Sequence, residues 1–165
     1  MTTKIEEQFY ASGTLEIRRY RLDNKLHRDD GPAYESYYPN GTLDCSSWYN
    51  HGKLHREDGP AREHFFKTGA LAFRTWYVNG LMHREDGPAH EIYYPDGKLE
   101  HAIWYKHGKI HREGGPAHEY FNLKGQLETA LYWVKGKEYT KTEYYRYITL
   151  LNLSQQAATN TDISL

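Results

Sequence analysis

Histidine, arginine and a carboxylate recur together four times in this chain: NKLHRDDGPA from residue 24, GKLHREDGPA from 52, GLMHREDGPA from 80 and GKIHREGGPA from 108. Those residue types supply a base, a cation and an acid, the raw material of a hydrolase centre or, through imidazole nitrogens, of a zinc site. An active site is a single constellation held by its own surroundings, whereas here the same grammar repeats. Gly114 also stands in the last copy where Asp30, Asp58 and Asp86 stand in the others. A structural turn survives that exchange more readily than an essential acid does.

A shift of 28 residues superimposes most of the chain on itself. His27, His55, His83 and His111 coincide, as do Arg28, Arg56, Arg84 and Arg112 and the Gly-Pro pairs that follow them. Glu35, Glu63, Glu91 and Glu119 fall in line, then the aromatics Tyr37, Phe65, Tyr93 and Phe121. Turn glycines (Gly41, Gly69, Gly97, Gly125) lead to Trp48, Trp76, Trp104 and Tyr132, and a second glycine closes each copy at Gly52, Gly80, Gly108 and Gly136. Phe9, Gly13, Leu15 and Tyr20 match a partial first copy over 7–26. Self-similarity at a fixed period marks a stacked array of small units.

Within a copy, AYESYY, PNG, TLDCSSWY and NHG follow one another. Aromatic and β-branched runs bounded by Asn-Gly, Asp-Gly and His-Gly signal tight hairpins. Two antiparallel strands per copy are expected, joined by the KLHREDGP connection; whether KLHR adds a third is left open. Strand alternation then separates two faces. Ala61, Glu63 and Phe65 share the side on which residues repeat. The other side varies: Tyr34, Arg62, His90 and His118 at one level, Ser36, His64, Ile92 and Tyr120 at the next. The varied residues Tyr34, Arg62, His64, His90, His118 and Tyr120 are the candidate partner-binding set, since aromatics and Arg dominate binding hot spots.

The repeated residues read as a structural ladder. With strands about 4.8 Å apart and two per copy, successive ladder histidines stand about 9.5 Å apart. Zinc binds nitrogen at about 2.0 to 2.1 Å, so no metal site is expected from the ladder, and no cofactor. Arg56 and Glu63, with their counterparts, are expected to bond adjacent connections, and Asp58 and Asp86 to accept turn N–H groups. Trp48, Trp76 and Trp104 are assigned to packing; as a row beside Arg they would also suit stacked bases, though no basic run supports that.

The 165 residues bear a net charge of −1 with a pI of 6.8, which excludes a whole-protein basic field. Ten histidines make the chain basic in acid. Sixteen Tyr, five Phe and four Trp at a mean hydropathy of −0.92 point to rings buried across thin β layers in place of a thick aliphatic core. Cys45 stands alone and closes no internal disulfide, consistent with a reducing compartment. No apolar run approaches the roughly 20 residues of a membrane span, and MTTKIEEQFYASG lacks a signal core. A soluble, cytoplasmic protein is the expectation. After residue 138, Thr140 and Glu143 form a capping box; a helical cap over 139–156 and a flexible tail over 157–165 are expected.

YYPNGTLDCSSWYNHGKLHR and YYPDGKLEHAIWYKHGKIHR resemble MORN-type repeats, in the variant seen in bacterial and viral proteins. The resemblance covers roughly residues 7–138. Usual copies are shorter, with Gly after His, whereas Arg and an acidic EDGPA insertion follow here, a version common in bacteriophage and large-virus proteins. It implies a mostly β fold: an elongated, twisted antiparallel sheet of about four to five stacked hairpins with the C-terminal helix as cap. It implies a non-enzymatic role, since such repeats have been linked to protein scaffolding, phospholipid association and toxin immunity. The leading expectation is a phage or viral accessory protein that binds and blocks a host protein such as a defence or CRISPR nuclease. The alternatives are a nucleic-acid or phosphorylated ligand on the Arg, His and aromatic rows, an immunity partner of a bacterial toxin, and a His/Asp hydrolase. The open edge of the first hairpin invites homodimerisation, against which Lys4, Glu6 and Glu7 work.

Overall fold

Two turn chemistries divide each copy into strands. At Pro39-Asn40-Gly41, one residue is left-handed, Gly41 at φ 84°, and its N–H donates to the Tyr38 carbonyl at 2.8 Å. At His51-Gly52 both central residues are left-handed, at 47° and 86°, the primed hairpin turn whose twist matches its strands. The first copy makes this second turn with Asp23 and Asn24 at 50° and 62°. Asp and Asn tolerate that region, so the first copy dispenses with glycine there.

The structure is a computed structural model that describes residues 3–161, with side chains described to 156. Among the described residues, twelve strands form one antiparallel sheet. Strand β1 (Lys4–Phe9) is outermost and pairs with β2 (Leu15–Leu22). Each full copy then adds a hairpin: Tyr34–Tyr37 with Leu43–Ser47, Arg62–Phe65 with Leu71–Thr75, His90–Tyr93 with Leu99–Ile103, and His118–Phe121 with Leu127–Val134. The fold is the mostly β, stacked-hairpin sheet with a C-terminal helix that the repeat grammar implies.

The KLHR stretch does add a short strand to each copy. Lys53–Leu54 pairs with Tyr49–Asn50, Leu81–Met82 with Tyr77–Val78, and Lys109–Ile110 with Tyr105–Lys106. The chain leaves the main sheet at Trp48, whose N–H donates to the Ala61 carbonyl at 2.7 Å while its carbonyl accepts the His55 N–H at 3.1 Å. These small hairpins bond to each other, Gly80 N–H to Leu54 carbonyl at 2.8 Å and Gly108 N–H to Met82 carbonyl at 2.9 Å. A second row of hairpins therefore runs beside the sheet.

Between copies the fully buried apolar side chains are alanines, Ala33, Ala61, Ala89 and Ala117, each 0% exposed. They sit where the Gly-Pro connection re-enters the sheet, Ala33 bonding Ser47 and Tyr20 through its backbone at 2.9 and 2.8 Å. The larger apolar cluster is at the C-terminal end. There Tyr132, Val134 and Tyr144 are buried against Tyr139, Tyr147 and Ile148.

Helix α1 (Lys141–Thr161) closes that end. Its capping box is formed: Glu143 N–H donates to Thr140 Oγ1 at 3.3 Å, and Thr140 N–H to Glu143 Oε2 at 2.9 Å. The Tyr144 hydroxyl accepts the Gly115 N–H at 2.9 Å and donates to the Arg112 carbonyl at 3.3 Å, which ties the helix to the last His-Arg connection. The helix passes the boundary at 156 read from sequence, and of the expected tail residues 162–165 lie outside the described residues. Tyr144→Ala should cost about 3–5 kcal/mol and Tyr144→Phe about 1 kcal/mol in urea unfolding; equal, negligible losses would show that the cap does not hold the array.

Candidate functional site

The ladder histidines do not converge. Each reaches the next copy instead: His27 Nδ1 accepts the His51 N–H at 3.3 Å, His55 that of Asn79 at 3.2 Å, His83 that of His107 at 3.2 Å, and His111 that of Lys135 at 3.1 Å. The donors are the first left-handed residues of the two-residue turns. Because a backbone N–H can only donate, Nδ1 must carry the lone pair and Nε2 the proton. Nε2 faces an acid of its own connection, Asp29, Glu57, Glu85 or Glu113, at 3.4, 3.6, 3.2 and 3.6 Å. Both imidazole nitrogens are thereby engaged.

The arginines are equally committed. Arg28, Arg56, Arg84 and Arg112 lie over the rings of Tyr20, Trp48, Trp76 and Trp104 at 4.1, 4.2, 4.1 and 3.8 Å. Their Nη1 groups donate to the carbonyls of Pro32, Pro60, Pro88 and Pro116 at 3.5, 3.4, 3.3 and 3.0 Å. Asp58 and Asp86 take the Arg56 and Arg84 Nε–H at 2.7 and 2.8 Å, a stronger contact than the turn backbone N–H that each carboxylate also meets. The guanidinium two residues back is the stronger donor, and it holds the Asp30, Asp58 and Asp86 carboxyls below their ordinary range. Where Gly114 removes that acid, Arg112 turns to Glu119 at 3.2 Å. Glu91 instead meets Arg74 and the Tyr93 hydroxyl, with Arg84 at 3.6 Å.

Among the described residues one group of metal-ligand types does assemble, and its second imidazole comes from a turn, not from the ladder. His83, Glu85 and His107 bring ligand atoms within 4.8 Å of one another. The two rings stack at 4.4 Å and 15°, so their planes run side by side and no single point near both rings lies in both planes, as a cation held by two imidazole lone pairs must. A cation on His83 Nε2 would also force the proton onto Nδ1, against the His107 N–H. His27 and His51 stack the same way at 4.2 Å.

The varied side chains share the opposite face. Tyr34, Arg62, His90 and His118 stand in one row, with Ser47, Thr75 and Ile103 between them. His64 and Tyr120 stand in the next, with Cys45, Phe73, Ile92 and His101. His64 stacks on Phe73 at 4.5 Å, and Phe73 meets the edge of His90 at 5.7 Å. His90 Nδ1 bonds the Thr75 hydroxyl at 2.8 Å. His101 Nδ1 and His118 Nε2 are 2.8 Å apart with ring centres at 5.1 Å, a head-to-head pair in which one ring donates and the other accepts according to tautomer. Tyr120 flanks His101 at 4.9 Å. Arg62 Nε donates to the Ser47 hydroxyl at 3.3 Å, and Arg19 reaches over Tyr34 at 5.7 Å. Burial pushes the His64, His90 and His118 imidazoles below their ordinary value, and the neighbouring His101 lowers the last two further.

Phe73, Thr75 and His101 are missing from the candidate set read from sequence because that set used only the first strand of each copy. The signal was present: the same 28-residue shift leaves Cys45, Phe73 and His101 unlike one another. Asp44 and Glu100 also reach this face, Asp44 accepting the Ser36 hydroxyl at 3.0 Å and Glu100 lying 3.9 Å from His101 Nε2. A register shift between Ser36 and Tyr37, repeated between Ile92 and Tyr93, inserts them. No protein-family model matches the chain, and no curated protein matches it.

Histidines held neutral by burial make stability depend on pH. His64 and His111 both titrate below 6.5, chiefly through desolvation, so as pH falls the unfolded chain takes up these protons first. Their contribution is complete above pH 6.5 and is lost as pH falls through the depressed folded-state values. The urea midpoint should be level between about pH 7 and 8 and decline below about 6.5; a midpoint unchanged down to about pH 5 contradicts this.

Proposed function

We propose that the chain is a non-enzymatic protein-binding module whose repeated residues build a rigid array and whose varied face takes the partner. One observation carries the reading. The repeated His, Arg and Asp side chains are consumed by bonds within and between copies, while Tyr34, Arg62, His64, His90, His118 and Tyr120 form a continuous face of unlike residues. Aromatic and Arg side chains on a fixed sheet present contact area at low entropic cost.

The MORN-type resemblance, in its phage and large-virus variant, narrows this to an accessory protein that occupies and blocks a host protein such as a defence or CRISPR nuclease, working in the host cytoplasm. An immunity partner for a bacterial toxin uses the same face and is the runner-up. A nucleic-acid or phosphorylated ligand is less well supported. Guanidinium groups already cover the Trp48, Trp76 and Trp104 rings, and Glu57, Asp58, Glu85 and Asp86 line the groove between successive connections, where they would repel phosphate. No helix among the described residues is long and apolar enough to cross a membrane.

Capture from host lysate by the tagged chain, followed by titration with the captured protein, tests the reading. Arg62→Ala, His90→Ala and Tyr120→Ala should each weaken binding by tenfold or more, that is by about 1.4 kcal/mol or above, in chains that stay folded by circular dichroism under the assay conditions. Glu57→Gln on the connections should bind as the parent does. Equal loss in Glu57→Gln with the fold intact rejects the assignment of faces.

A further inference from the structure

The two ends of the array are finished differently. Helix α1 covers the C-terminal end, whereas β1 has β2 on one side and, among the described residues, no strand on the other. Ile5 and Phe9 of β1 are 56% and 54% exposed. A groove lined by Thr3, Ile5, Tyr20, Leu22 and Arg28 opens beside the strand. We propose that β1 pairs antiparallel with β1 of a second copy, in a two-fold dimer centred on Ile5.

Backbone direction limits the registers. The Tyr20 N–H donates to the Ala33 carbonyl on the inner side, so by strand alternation Arg19 and Arg21 turn their N–H groups toward β1. Their partners there are Glu6 and Lys4. Ile5 and Glu7 therefore turn N–H and C=O outward, and two-fold pairing forms bonds only where these outward residues face outward residues. Centring on Glu6 sets Glu6 against Glu6 of the second copy, and centring on Glu7 opposes Glu7 in the same way. Like charges directly opposite are destabilising. Registers nearer Phe9 fall on the irregularity between Gln8 and Phe9.

Centring on Ile5 has neither fault. Lys4 then faces Glu6 of the second copy on both sides of the axis, Thr3 faces Glu7, and the exposed Ile5 side chains meet. Lys4 is 71% exposed and bonds Glu6 of its own strand at 3.0 Å, so crossing the axis exchanges one carboxylate for an equivalent one while the backbone gains a ladder. The charges that guard this edge against other strands thus complement a second copy. Contact of this kind is isologous and closes at two chains, since the far end is capped. The overlap is short, which places the dimer among weak, concentration-dependent interfaces. The inference is independent of the protein-binding reading above.

Sedimentation velocity on the full chain from about 5 to 500 µM should show a monomer–dimer equilibrium, the range in which so small an interface associates. Ile5→Pro removes an N–H that β2 does not use, on an edge where proline is tolerated; it should stay folded by circular dichroism and remain monomeric. Lys4→Glu and Glu6→Lys should each weaken association by about fivefold or more, as two opposed pairs become like-charged. The double exchange Lys4→Glu with Glu6→Lys should restore it. A parent chain that is monomeric throughout, an Ile5→Pro variant that dimerises as the parent does, or no recovery in the double exchange overturns the proposal.

Discussion

A backbone N–H at the tip of each two-residue turn needs an acceptor, and the imidazole of the preceding copy supplies it. This bond, from His51, Asn79, His107 and Lys135 to His27, His55, His83 and His111, is the contact on which the rest of the array depends. A sheet whose fully buried apolar residues between copies are alanines gains little from aliphatic burial along its length. It must be held by directional contacts repeated at the copy spacing. Each hydrogen bond contributes about 1 kcal/mol net and each Arg over its ring about 0.5–1 kcal/mol, so the rigidity is distributed along the array.

That constraint explains the residue types that first suggest catalysis. Histidine serves because a neutral ring offers an acceptor at Nδ1 and a donor at Nε2, which joins the next turn to the local acid. Arginine serves because a planar cation can lie on a Trp face while its fork reaches an aspartate and the proline carbonyl. The Gly114 exchange shows the logic, since Arg112 keeps its ring and its proline carbonyl and finds Glu119 in place of the missing acid. A module assembled this way is coupled copy to copy, and its ends are its weak points. The Tyr132, Val134 and Tyr144 cluster meets that need at one end, and Glu6 and Glu7, paired with Arg21 and Arg18, guard the other.

Much of this was legible in the sequence because the cues were local and repeated. The 28-residue period, the hairpin glycines and the Thr140–Glu143 box each correspond to a feature with its own short-range physics. The separation of faces followed from strand alternation alone. Other features depended on geometry that spacing does not encode. Lys53–Leu54 forms a strand because the chain leaves the sheet at Trp48, a bend that no residue type announces. Asp58 and Asp86 bond the arginine because its side chain folds back over the tryptophan, and only then is it the nearest donor. His101 escaped notice because the face is built equally by both strands of each hairpin, and pairing across strands brings it against His118.

The ladder histidines are acceptors at Nδ1, and their tautomeric state reports this directly. Nitrogen-15 imidazole spectra at about pH 8, where unperturbed histidines are neutral, should show His27, His55, His83 and His111 all in the Nε2–H form, with Nδ1 shifted by an accepted hydrogen bond. Ladder histidines found in the Nδ1–H form, or averaging freely between tautomers, would contradict the account.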